Sequence, residues 1–318
     1  MAAVGDVHGH LQLALCVVAR WQKELALDLD VVLLCGDVGT FTTEDQLDSA
    51  TRRHAKSNPC ELEFLRQWSA SPQPPWLDFV FKPEAEGGLG LACPVVMVHG
   101  NHEGFAHLAA LAPPSLPKDV VAVQSLPAVD TGGRIRLLPS GWRARTDAGL
   151  VIAGIGGIEM GQRQARYHPM AYVDEAAVLH LLEKGSVDVL VTHQGPSAIQ
   201  GETGSPNLQH LLDAGRARVW FHGHSTPSAD PVWAGPGKGT LVVPLGDVAF
   251  PGRGSRAGEP GPEGWCLSVV DEDEVTVRKE TPRFLREFHL RRWTEAGDGL
   301  LVCPPLASHV PSGIRGRS

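Results

Sequence analysis

Short apolar runs punctuate this chain, and several end beside a glycine and a polar residue. Val31-Val32-Leu33-Leu34-Cys35 and Val95-Val96-Met97-Val98 are continuous apolar stretches, the mark of strands buried on both faces. The first runs into Gly36-Asp37 and the second into Gly100-Asn101-His102-Glu103. Ala2-Ala3-Val4, short for a central strand of about 5–6 residues, precedes Gly5-Asp6-Val7-His8-Gly9. Val187 to Val191 predicts a strand that delivers His193, and Arg218 to Phe221 leads into Gly223-His224. Further strands are predicted over Arg134 to Leu138, Gly149 to Ile155, Thr240 to Val243 and Trp265 to Val270, with Gly154, Gly156 and Gly157 forcing a tight turn.

Helical spacing of apolar positions predicts helices over Leu11 to Leu27, Glu61 to Trp68 and Glu103 to Leu111, the last stopping before Pro113-Pro114. Asp174 to Lys184 carries an acidic start, an apolar stripe and a terminating Gly185. Thr40 to Pro59 is polar and reads as a surface insertion, Ser71 to Pro75 as a loop and Glu84 to Gly90 as a turn region. Strands alternating with helices, then strand-rich sequence, predict an α/β sandwich of two sheets. The last segment, 283–318, reads as a C-terminal extension to a domain spanning 1–282: a charged helix-like piece (Phe284 to Trp293), then a flexible basic tail.

Asp, Asn and His are the side chains that hold hard or borderline divalent ions. A ligand set directly after an apolar strand lies at the strand's C-terminal edge, where open α/β sheets keep their sites. Taken singly, each cluster has an ordinary alternative as a turn, a helix cap or a satisfied histidine. Five in order point to a two-metal phosphoesterase. Gly246-Asp247 repeats the glycine–aspartate doublet but falls after the last cluster, and reads as a turn. His10, His54, His99, His107 and His168 read as structural or surface residues.

The five clusters resemble the pattern of the calcineurin-like metallophosphoesterase superfamily: D-x-H, G-D, G-N-H-[DE], H and G-H-x-H. The resemblance implies a sandwich of two mixed sheets flanked by helices, and two divalent ions (Mn, Fe, Zn, Ni or Co) held about 3.5–4 Å apart. It places Asp6 and His8 on the first ion, has Asp37 bridge both, and places Asn101, His193 and His224 on the second. His102 resembles the family's non-ligand histidine, which assists departure of the leaving oxygen while metal-bound hydroxide attacks phosphorus. His102 and Asp37 are thus the candidate catalytic residues. The implied substrate is a phosphomonoester or phosphodiester.

The fifth cluster departs from the pattern. Thr226 stands where the last histidine is expected, and a hydroxyl is a far weaker ligand than an imidazole. His222, two positions before His224, is a candidate substitute if the segment is extended. The expectation is a secure second ion and a weak first one; the alternative is an impaired metal- or phosphate-binding module. Within the superfamily, the first and third clusters look like those of Ser/Thr protein phosphatases, but Val38-Gly39-Thr40-Phe41 replaces the V-D-R-G those enzymes carry. Over about Val4 to Thr226 the chain is similar to RNA lariat debranching enzymes, through Gly100 to Leu108 and the turn Gly154-Ile155-Gly156-Gly157-Ile158. A basic segment with Arg163 and Arg166 follows that turn, and both arginines are candidate substrate contacts.

Composition alters the picture little. Hydrophobic residues make up 42% and charged residues 20% of the 318 positions, enough for a sizeable core. A net charge of -8 argues against sequence-blind nucleic-acid binding, which rests on Lys and Arg neutralising phosphates; nucleic acid enters only as a substrate. The six cysteines show no C-x-x-C pairing, which points to a reducing compartment. No apolar stretch approaches the roughly 20 residues of a membrane span, and the first cluster follows the N-terminus too closely for a signal peptide. A cytoplasmic protein without membrane partners is expected; oligomeric state is not legible.

Overall fold

The computed structural model describes residues 1–68, 74–113, 115–161, 168–200, 203–224, 229–251, 254–271, 274–295 and 301–307. In chain order its strands begin with β1 (Ala2–Val4), β2 (Val32–Leu34), β3 (Val95–Met97), β4 (Val121–Ala122) and β5 (Ile135–Leu137). They continue with β6 (Arg143–Arg145), β7 (Val151–Ile155), β8 (Val187–Thr192), β9 (Ala217–His222) and β10 (Val232–Ala234). The last are β11 (Thr240–Pro244), β12 (Trp265–Val270), β13 (Val275–Lys279), β14 (Thr294–Glu295) and β15 (Leu301–Val302).

Two large mixed sheets result. The first has the order β13-β12-β1-β2-β3-β5, with β1, β2, β3 and β5 parallel and β12 and β13 antiparallel at one side. The second has the order β10-β11-β9-β8-β7-β6-β4, in which β11, β9, β8 and β7 form the parallel centre. Alternation along each strand explains the continuous apolar runs. Ala3, Leu33, Val96, Val189, Val191, Val219, Phe221 and Val243 point between the sheets into one shared core. Their neighbours Val4, Val32, Leu34, Val95 and Met97 face outward under helices on the first sheet, and Leu190, Trp220 and Val242 do the same on the second. Successive strand residues point to opposite faces, so only an all-apolar strand serves a sheet covered on both sides.

The helices are α1 (Leu11–Glu24), α2 (Ser49–His54), α3 (Glu63–Trp68), α4 (Pro75–Phe81), α5 (Phe105–Leu111), α6 (Glu175–Lys184), α7 (Ser197–Gln200) and α8 (Pro206–Asp213). α1 covers the first sheet, while α6 and α8 cover the second through Val178, Leu181, Leu208 and Leu212. Two elements depart from the sequence reading. The segment expected to be polar surface insertion contains α2, capped by Asp48, whose carboxylate accepts from the Ala50 and Thr51 amides. The helix expected over Phe284 to Trp293 is two single 3-10 turns, Leu285–Phe288 and Leu290–Arg292, separated by His289 at φ -51°, ψ 136°. That extended residue turns the chain so that Phe284, Leu285, Phe288 and Trp293 all enter the core beneath α1.

No helix among the described residues is long and apolar enough to cross a membrane. All six cysteines are buried free thiols.

Candidate metal centre

The C-terminal ends of the parallel strands from both sheets meet at one edge of the sandwich. β1 is followed by Asp6 and His8, β2 by Asp37, β3 by Asn101 and His102, β8 by His193 and β9 by His224. The loops are laced together by the backbone: the Val7 amide donates to Gly36 O (3.4 Å) and the Gly9 amide to Val38 O (3.2 Å). Glycine is required where these loops nearly touch. A Cβ on Gly100 would collide with Asp37 Oδ1, and one on Gly223 with Asp6 Oδ1.

Ligand atoms of Asp6, Asp37, His193 and His224 all lie within 4.8 Å of one another. Asp6 and Asp37 are each only 2% exposed and His193 is 0% exposed. Asp37 Oδ1 accepts from the His102 amide at 2.8 Å and lies 3.4 Å from His193 Nε2, while its Oδ2 is 3.7 Å from His8 Nε2. Both oxygens of Asp6 face the His224 amide, at 3.1 and 3.0 Å. The backbone bears the cost of this convergence: His8, Asp37 and His224 have φ of 43°, 47° and 55°. Left-handed backbone at non-glycine residues is uncommon and collects at functional sites.

The donor set fits divalent cations on its own chemistry. His193 Nδ1 lies 2.9 Å from the Cys35 carbonyl, which can only accept, so the ring's proton sits there. Burial lowers the pKa of His193 and keeps the ring neutral. Its Nε2 lone pair is then aimed at Asn101 Oδ1, 2.9 Å away, and at Asp37 Oδ1. Three acceptors facing one point suit a metal ion, whose ligands lie about 2.0–2.2 Å from it. The carbonyl that fixes the tautomer is the outer partner that metal-bound histidines usually have. Burial, with His193 next to it, lowers His224 to about 3, so it too offers a lone pair. Burial alone would raise Asp37, but the imidazoles of His193, His8 and His102 hold its carboxyl below the usual range.

His102 stands beside this group with its ring 5.9 Å from that of His8. Its Nδ1 bonds Asp48 Oδ2 at 2.9 Å. Burial opposes its protonation, yet the bond to Asp48 and the charges of Asp37, Asp48 and Glu103 raise it to about 9. Glu103, buried, gathers the Val38, Gly39, Thr40 and Gly100 amides and the Thr40 hydroxyl. It thereby fixes the second loop against the third.

Other sequence-selected residues land differently. His222 shares the outward face of β9 with Trp220; its ring packs against Gly195 and its Nδ1 contacts Gly223 O at 3.2 Å. It is absent from the groups of converging ligand atoms found among the described residues. The left-handed turn at His224 breaks the alternation that would have placed residues 222 and 224 on one face. His10 is a buried structural histidine, bonded to His8 O (2.6 Å) and Asn58 Nδ2 (3.0 Å). Thr226, Arg163 and Arg166 lie outside the described residues.

Two residues were not selected from sequence. Asp48 sat in a polar stretch without pattern. Asp247, read as a turn residue, has its carboxylate within 4.8 Å of ligand atoms of both Asp6 and His8. Its signal was legible, since it follows strand β11 as Asp37 follows β2. A cleft of about 750 Å³ opens beside this corner, lined by His8, Arg53, Glu61, Asp247, Phe250 and Arg256 among others.

No curated protein matches the chain. A solved crystal structure overlays on 88% of this chain and 98% of its own, with 11% identity and a TM-score of 0.47. The model of the calcineurin-like phosphoesterase family matches residues 1–227, and the chain belongs to that family.

Proposed function

We propose that this protein hydrolyses a phosphomonoester or phosphodiester with two divalent ions held at the shared edge of its sheets. The observation that carries the reading is the convergence of Asp6, Asp37, His193 and His224 within 4.8 Å, beside Asn101 and a histidine already paired with a carboxylate. Asp6 and His8 would hold the first ion, Asp37 would bridge, and Asn101, His193 and His224 would hold the second. When bound, such ions polarise phosphoryl oxygens and make an attacking water acidic.

The chain's own residues supply the rest. His102, bonded through Nδ1 to the Asp48 carboxylate, is placed to deliver a proton to the departing oxygen, a contribution typically of about 10²–10⁴-fold. Asp48 holds that ring by its Nδ1, leaving Nε2 for the substrate. Arg53 and Arg256 in the adjoining cleft offer guanidinium groups suited to phosphate oxygens.

The test uses the purified full chain, a panel of Mn, Fe, Zn, Ni and Co, and chromogenic aryl mono- and diesters. Turnover should require metal, and Asp37→Asn and His102→Ala should each lose most of it. Undiminished turnover in either variant overturns the reading; no turnover with any ion would leave a binding module.

A further inference from the structure

The family pattern expects a histidine at Thr226, and His222, the substitute offered by the sequence, is absent from the groups of converging ligand atoms among the described residues. The first site would keep Asp6, His8 and the bridging Asp37, one ligand short. Asp247 fills that corner by the rule the other ligands obey. β11 is parallel to β9, so its C-terminal end reaches the same edge, and Gly246-Asp247 emerges there as Gly36-Asp37 emerges from β2. The carboxylates of Asp6 and Asp247 and a ring nitrogen of His8 lie within 4.8 Å of one another.

The loop is fixed where it would have to be for a ligand. The Gly246 amide donates to Glu263 O (3.1 Å), and the Val248 amide donates to the carbonyl of Asp6 itself (3.0 Å). Gly5 packs so closely on Gly246 that a Cβ there would strike the Gly246 carbonyl. Asp247 is therefore tied on both sides to the strand end that carries Asp6. Two carboxylates brought together, one of them 2% exposed, repel unless a proton or a cation lies between them.

Resting on the two-ion reading above, we propose that Asp247 is a ligand of the first ion, standing in for the histidine that Thr226 lacks. The site then presents Asp6, Asp37, Asp247 and a single imidazole, His8. Oxygen-rich donors suit Mn²⁺ more than imidazole-rich ones do. The first site is thereby a carboxylate-dominated one, filled by Mn²⁺ rather than left weak.

The experiment titrates Mn²⁺ into the metal-free full chain, measuring bound ion by elemental analysis and spin coupling by electron paramagnetic resonance. Wild type should take two ions and show the exchange-coupled spectrum of a bridged pair. Asp247→Asn should keep one ion, bind the other about 10- to 100-fold more weakly, and lose the coupled spectrum, while its metal-free chain, relieved of the repulsion with Asp6, unfolds at a temperature no lower than that of wild type. Adding Thr226→His to Asp247→Asn should return the first ion. Two ions bound by Asp247→Asn with wild-type affinity and coupling would overturn the proposal and leave the two-ion function standing. A wild-type chain that binds no Mn²⁺ would overturn the proposal alone if Fe, Zn, Ni or Co still supports turnover, and would overturn both if no ion does; Asp37→Asn should lose the coupling whatever Asp247 does.

Discussion

His102 and Asp48 form an ion pair in which each sets the other's charge. Burial works against the Asp48 carboxylate, but the bond from His102 and the amide and hydroxyl of Thr51 hold it down at about 2. The pair keeps the ring protonated and oriented, so Asp48→Asn should reduce kcat by about 10- to 100-fold, the usual cost of losing a group that orients a site side chain. KM and bound metal should change little, because Asp48 touches no ligand; a loss of metal equal to the loss of kcat would refute the positioning role. The contrast in legibility at this scale is physical. Asp6, His8, Asp37, Asn101, His102, His193 and His224 each follow an apolar strand within a few residues, and that local pattern is visible in sequence. Asp48 lies 54 positions before its partner on a short helix with no periodicity. Asp247 does have the local pattern, but its doublet falls after the last cluster of the family pattern.

At the scale of elements, the helices are joined by buried polar contacts that no periodicity reveals. Glu63, the first residue of α3, is 3% exposed. Its Oε1 accepts from the Gln12 amide at the start of α1 (2.9 Å), while Oε2 has no hydrogen-bond partner. Burial raises its pKa well above the ordinary carboxyl value, against the opposing pull of Gln12. With the folded pKa raised, full stability holds below the unfolded value of about 4.3 and is lost as pH climbs towards the folded one, at up to about 1.4 kcal/mol per pH unit. Glu63→Gln keeps the acceptor for Gln12 and cannot ionise. Its melting temperature should exceed that of wild type at pH 7.5 and converge with it near pH 4.5; a variant less stable at both pH values would show that the carboxylate is ionised in the fold. The same scale explains which elements were legible. Val32–Leu34 and Val95–Met97 stood out as apolar runs, and α1 by its stripe. β13 (Val275–Lys279) did not, because at the edge of its sheet it alternates exposed and half-buried residues. α8 did carry a signal, Pro206 behind the capping Ser205, whose hydroxyl accepts from the Leu208 amide, but at eight residues it is barely two turns long.

The molecule as a whole ties its C-terminal segment to the metal corner. Gln12 donates to Leu301 O (3.2 Å) and accepts from the Cys303 amide (3.1 Å), so α1 is joined to β15 across 289 and 291 positions. Arg20 pairs with Glu287 (2.6 Å) and lies over the ring of Phe284 (4.5 Å). Trp293 packs edge-on against Phe250 (5.5 Å), Phe250 against His10 (4.9 Å), and His10 bonds the carbonyl of His8. A residue near the C-terminus thus supports the loop that carries a first-ion ligand, through two aromatic contacts and a hydrogen bond. No local pattern reveals this, since burial of Phe284, Leu285, Phe288 and Trp293 depends on a bend at His289 and on packing against elements remote in the chain. Trp293→Ala should therefore cost about 3–5 kcal/mol, the usual price of deleting a buried aromatic, measured by urea unfolding of the metal-free chain. It should also weaken the first ion more than the second, because the packing it removes ends at His8 and not at His193. Truncation after Pro282 should go further, exposing the apolar side chains beneath α1 and yielding a chain that aggregates. A truncated protein that unfolds cooperatively at the wild-type midpoint would instead make residues 283–318 a separable appendage, and the route from Trp293 to His8 would carry no energy.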